Sequence, residues 1–96
     1  MNGIAAYQEN AVTTQSRGRL IVMLYEGAIK FLRQAVREIE AGDWAEKGRQ
    51  IAKAQNIIHE LDACLDMEAG GEVAMNLRRL YAFMYRHLNQ ANTQRD

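Results

Sequence analysis

Apolar residues recur at spacings of three and four along three long runs of this 96-residue chain, and no proline interrupts any of them. That period places side chains on one side of an α-helix, and a chain without proline has nothing to forbid long uninterrupted helices. In residues 17–41 the main stripe is Leu20, Leu24, Ala28, Phe31/Leu32, Ala35 and Ile39, with Ile21, Tyr25, Ile29 and Val36 beside it. Two adjacent stripes make a broad apolar face, and Arg33, Arg37, Glu38 and Glu40 fall on the wet side. Residues 44–67 carry Ile51, Ala54, Ile58, Leu61 and Leu65, flanked by Ile57 and Cys64. A third run over about 72–93 carries Val73, Leu77, Leu80/Tyr81, Met84, Leu88 and Ala91, with Phe83 and Tyr85 outside the stripe.

The junctions predict where these helices stop. Ser16 has the hydroxyl of an N-cap for the first, Gly42 suits the left-handed position after its end, and Asp43 caps the second. Gly70-Gly71 breaks the pattern before the third. Residues 1–15 read as a polar, partly extended arm with Ile4, Tyr7 and Val12 as isolated apolar points. Short connections between long helices force antiparallel neighbours. At ~1.5 Å per residue the three helices match in length, at roughly 30–38 Å each. The fold expected is an all-α, antiparallel up-down helical bundle over residues 16–96.

Composition narrows the function. Twelve basic and twelve acidic side chains cancel, whereas a nucleic-acid binder concentrates cations to displace counterions from phosphate. Cys64 is the only cysteine, so no intrachain disulfide forms and a reducing compartment fits. Residues 1–10 lack the basic and apolar regions of a signal peptide. No apolar run approaches the ~20 residues that span a bilayer. The expectation is a cytoplasmic protein with neither nucleic acid nor membrane as partner.

The search for chemistry returns little. His59, Asp62 and Asp66 share roughly one helical face, but neither histidine has the Glu three residues earlier that carboxylate-type metal bundles repeat. Cys64 reads as a buried structural thiol, and Gly70-Gly71 lacks the flanks of a phosphate loop. Met23, Met67, Met75 and Met84 suit either an adaptable peptide surface or ordinary core. Trp44 reads as a plug at the bundle end, and His87 as a surface or boundary residue. No acid–base or nucleophile constellation emerges, so neither catalysis nor a cofactor is expected.

The apolar faces exceed what three helices need if they meet only one another. Each Leu or Phe left wet forgoes ~1.5–3 kcal/mol, and several together mark a binding surface. Three-helix domains also bury broad faces, and a pattern fixes period rather than neighbours, so both readings stand on periodicity.

Two stretches carry a family resemblance. The run Leu20-Ile21-Val22-Met23-Leu24-Tyr25-Glu26-Gly27-Ala28-Ile29 is similar to the first-helix signature of the FliS family of flagellin export chaperones. More specific is Leu65-Asp66-Met67-Glu68-Ala69-Gly70-Gly71-Glu72, leading into Leu77, Leu80-Tyr81, Met84 and Gln90-Ala91-Asn92. Lys53-Ala54-Gln55-Asn56-Ile57-Ile58 matches as well, and the arm carries the family's tyrosine at Tyr7, followed by Gln8 and Val12. The proline that follows the family's first-helix start is replaced around Arg17-Gly18.

The resemblance implies a cytosolic chaperone that binds the disordered C-terminal segment of flagellin. Such a protein prevents premature polymerisation and assists delivery to the flagellar export apparatus, with other flagellar regulators or export components as further partners. An amphipathic segment laid in a groove would bury its apolar face there. Ile51, Ile58, Leu77, Tyr81, Met84, Tyr85 and Leu88 are the residues expected to line it. The arm, through Ile4, Tyr7, Gln8 and Val12, is expected to act as its lid. The family implies a further helix that this sequence does not include, which makes a homodimer a further expectation. A helical dimerisation or adaptor module without a flagellin role is the alternative.

Overall fold

The computed structural model describes the backbone of residues 2–94 and the side chains of residues 17–94. Three helices follow one another: α1 (Asn2–Ala41), α2 (Trp44–Ala63) and α3 (Met67–Thr93). The all-α bundle expected from periodicity is present, and the helix ends differ from expectation in two instructive places.

The first is the arm. Residues 2–15 are helical and continuous with α1, so Ser16 lies inside a helix and caps nothing. Ala5, Ala6, Gln8, Glu9 and Ala11 are good helix formers, and once a helix is nucleated each further residue adds a bond without a new nucleus. The side chains of Ile4, Tyr7, Gln8 and Val12 lie outside the described ones.

The second is the junction between α2 and α3. The Cys64 N–H bonds to the Glu60 and Leu61 carbonyls at 3.1 and 3.2 Å, which closes α2 earlier than the apolar pattern suggested. Asp66 then caps α3, accepting from the Ala69 N–H at 2.9 Å. The expected break at Gly70-Gly71 is present within α3: Gly71 takes the non-helical φ 51° and ψ −125°, and a short helical segment before it joins the long one after it across a kink. A side chain strongly disfavours that conformation, so glycine is what permits the change of course. At the other junction the expectations hold: Gly42 has φ 75°, and Asp43 accepts from the Glu46 N–H at 3.1 Å.

The helices lie side by side, with α2 in the middle. Among the described residues no Cα of α1 comes within 8 Å of one in α3. The molecule is 58 × 29 × 13 Å along its principal axes, the last dimension being that of one layer of helices. Ala28 and Ala35 are buried on α1, Ala54 on α2 and Ala74 on α3, small residues that let neighbouring helices approach closely. Ile58, Leu61 and Tyr81 form the core, joined by Ile21 and Leu24 from α1, Ile57 from α2, Leu65 from the junction, and Leu77, Met84 and Leu88 from α3. No helix among the described residues is long and apolar enough to cross a membrane.

Candidate functional site

Of the seven residues expected to line a groove, Ile58 and Tyr81, both buried, share the core with half-buried Leu77, Met84 and Leu88. Exposed Tyr85 borders the cleft beside them, and Ile51 is buried on α2. Most of the set therefore holds the two helices together and offers only its edges to a ligand. On one side the seam opens into a cleft of about 140 Å³ lined by Ile58, His59, Asp62, Arg78, Tyr81, Ala82 and Tyr85.

The cleft has an apolar floor and a charged rim. Ile58 and Tyr81 form the floor, and Ala82 and Tyr85 form one wall. At the rim Arg78 Nε donates to Asp62 Oδ1 at 3.2 Å. Below it, the Gln55 amide donates to the Tyr85 carbonyl at 3.2 Å, which satisfies a buried side chain and ties α2 to α3. At the far end of the seam the buried Lys47 amine donates to the Gln94 carbonyl and lies 5.1 Å from the Trp44 ring centroid. Trp44, half-buried, thus holds the bundle end as expected.

Tyr81 links the whole layer. Its hydroxyl hydrogen-bonds that of Tyr25, which reaches over from α1. Burial, and then this bond with Tyr25, push the Tyr81 phenol above its ordinary pKa. The reach of Tyr25 also shows which side of the layer its stripe occupies. Arg78, Ala82 and Tyr85 each follow Leu77, Tyr81 or Met84 by one residue, about 100° further round the helix. The cleft lining on α3 therefore sits to one flank of the Leu77, Tyr81 and Met84 stripe.

The remaining sequence candidates are dispersed. Asp62 is engaged by Arg78, and Asp66 is the α3 cap, so the carboxylates near His59 already have partners. Among the described residues no group of three or more His, Cys, Asp or Glu side chains could hold a metal ion. Cys64 is half-buried at the end of α2 rather than fully buried, because the helix stops there. Met23 and Met75 are exposed and Met67 and Met84 half-buried, a division between surface and core rather than one methionine patch. His87 is exposed and stacks on Phe83, ring centroids 5.6 Å apart. Ala82 and the Arg78–Asp62 pair escaped the sequence reading: alanine carries no local signal, and the pair spans 16 positions across two helices.

The comparisons with known proteins agree along the whole chain. The family model described as "Flagellar protein FliS" matches residues 1–96. The Bacillus subtilis protein named "Flagellar secretion chaperone FliS" is 42% identical over 95 residues, covering 99% of this chain and 70% of that protein. The Salmonella typhimurium protein of the same name is 46% identical over 100 residues, covering 99% of this chain and 74% of its own. In Pseudomonas aeruginosa "Flagellar secretion chaperone FliSB" is 40% identical over 100 residues, covering 100% of this chain and 79% of that protein.

Proposed function

Since this chain belongs to the FliS family, we propose that it is a cytoplasmic export chaperone that binds the C-terminal segment of flagellin. The observation carrying this reading is the match of family and relatives along the full length of the chain. The chaperone keeps the segment from polymerising early and assists its delivery to the export apparatus. Other flagellar regulators or export components are further partners.

We assign the segment to the α2–α3 seam. An amphipathic helix places an apolar side chain against Ile58, Tyr81, Ala82 and Tyr85 and turns its polar side toward His59, Asp62 and Arg78. No covalent chemistry is involved. A disordered segment that orders on binding gives up part of its interaction energy, which suits cargo that must be released. Residues 1–15 cover this seam in the absence of cargo, which requires α1 to bend back, and Gly18 is the residue where a helix gives way most cheaply. Deleting residues 1–8 should then strengthen or spare binding; weaker binding would remove the lid.

Calorimetric titration of the isolated flagellin segment tests the main reading. The chain should bind it, and Ala82→Arg should weaken binding at least tenfold, about 1.4 kcal/mol, with helical content unchanged. Ala82 is exposed and arginine is a good helix former, so the variant should fold. No heat of binding from a folded chain contradicts the chaperone reading, whereas binding that Ala82→Arg leaves unchanged moves the cargo to another surface.

A further inference from the structure

The charges of this chain cancel in sum but not in place. Over residues 17–37 five cations accompany one acid, Glu26, and over residues 38–72 nine acids accompany three cations, of which Lys47 is buried. Over residues 73–94 Arg78, Arg79 and Arg86 accompany no acid at all. Arg78 is taken by Asp62 at the cleft rim. Among the described residues the other ion pair is Arg49–Glu46, so no described acid engages Arg79 or Arg86. Both lie on one face of α3 with Phe83, His87 and Gln90, and all five are exposed. At about 100° per residue, Arg79, Phe83, Arg86 and Gln90 fall within about 40° of the point opposite buried Tyr81, and His87 within about 60°. The surface is therefore the outer edge of the layer, turned away from α2, and it shares no residue with the cleft.

We propose that this edge docks an acidic amphipathic helix of a second partner protein, which sets an apolar side chain on Phe83 and carboxylates against Arg79 and Arg86. The inference does not rest on the flagellin reading. Phe83 is 57% exposed, and His87 stacks on it with ring centroids 5.6 Å apart and planes inclined by 16°. Phe83, Arg86, His87 and Gln90 surround an open hollow of about 220 Å³. A void of about 150 Å³ accepts a benzene ring, so the hollow has room for one leucine or phenyl side chain. Arg79 and Arg86 are two turns apart, about 10 Å along the helix, which matches carboxylates two turns apart on a partner helix. Arginine grips a carboxylate with two parallel N–H donors, and arginine beside aromatic rings is the composition that interfaces enrich. Gln90 closes the hollow with an amide that both donates and accepts. Nucleic acid also binds arginine and aromatic rings, but it carries a charge at every phosphate. Beyond the edge such a strand would run onto Glu60, Asp66, Glu68 and Glu72, all exposed around the α2–α3 junction. A short acidic segment matches the edge and stops there.

Fluorescence anisotropy of a labelled acidic peptide, titrated with the 96-residue chain in the absence of flagellin, tests this. The probe is a designed amphipathic helix with two glutamates two turns apart and a leucine between them, matched to Arg79, Phe83 and Arg86. It should bind, and its counterpart with glutamine at both glutamates should bind roughly tenfold more weakly. Phe83→Gln should weaken binding roughly tenfold and Arg86→Gln roughly threefold. Circular dichroism should stay helical in both, because the two side chains are exposed and glutamine is a good helix former. Ala82→Arg, in the wall of the cleft, should leave probe binding unchanged. Binding that survives both α3 substitutions, or that the glutamine counterpart equals, overturns the proposal, as does no binding by a folded chain. Displacement of the probe by the flagellin C-terminal segment would place cargo on this edge, and tighter binding of an oligothymidine strand would make the partner a nucleic acid. Either result overturns the proposal as well.

Discussion

The two seams flanking α2 are built on different physics. Between α1 and α2 the contact is apolar and close: Ala28 and Ala35 are buried, and Ala54 on α2 is fully buried. Among the described residues the polar contact there is Lys53 lying 5.4 Å from the Phe31 ring centroid, and no side-chain hydrogen bond joins the two helices. Between α2 and α3 the helices are pinned at three heights, by Arg78 to Asp62, Gln55 to the Tyr85 carbonyl and Lys47 to the Gln94 carbonyl. Close packing of small residues leaves no room for a guest, whereas a seam held by spaced polar links can keep a cleft open between them. The cleft lies beside the second seam, at the level of the Arg78–Asp62 link.

Substitutions can break this contrast in a definite order. Ile58 is buried in the core and borders the cleft, so Ile58→Ala should have the largest effect, about 3 kcal/mol lost in urea denaturation. Ala35→Leu forces extra volume into the closed α1–α2 seam and should cost about 2 kcal/mol. If that seam had slack, the loss would fall well below this value. Lys47→Met keeps the buried stem but removes the donor to the last turn of α3. It should cost ~1 kcal/mol and speed amide exchange in the last turn of α3, with α1 unchanged. Arg78→Ala should have the smallest effect, below ~0.5 kcal/mol, because both partners of that ion pair are partly exposed. A large loss there would mean that the charged rim, rather than the apolar floor, holds the second seam.

How much of this could be read from sequence follows from the range of each interaction. The helices and their period were legible because the same apolar residues recur within one or two turns, and Gly42 and Asp43 mark their junction with local chemistry. The helical arm is not legible in sequence, because isolated apolar points in a polar stretch resemble a disordered tail and helix propagation from a neighbouring segment leaves no periodic trace. The glycine pair at 70–71 marks the break that Gly71 makes, but the short helical segment before it, capped by Asp66, is too brief to leave a periodic trace. Of the predicted groove residues, Ile58, Leu77, Tyr81, Met84 and Leu88 pack into one core. That most are interior depends on which helix lies beside which, and a helical period carries no such information. The surplus apolar face on α1 was visible as a second stripe, and in the structure Tyr25, Ile29 and Val36 of that stripe are the exposed ones.

The proposed cargo site is the cleft beside the α2–α3 seam, and amide hydrogen exchange with and without the flagellin C-terminal segment tests that placement most directly. It predicts slower exchange on binding within residues 58–62 and 78–85, with residues 22–36 unchanged. Protection concentrated in residues 22–36, or no protection anywhere in a folded chain at saturating segment, would contradict it.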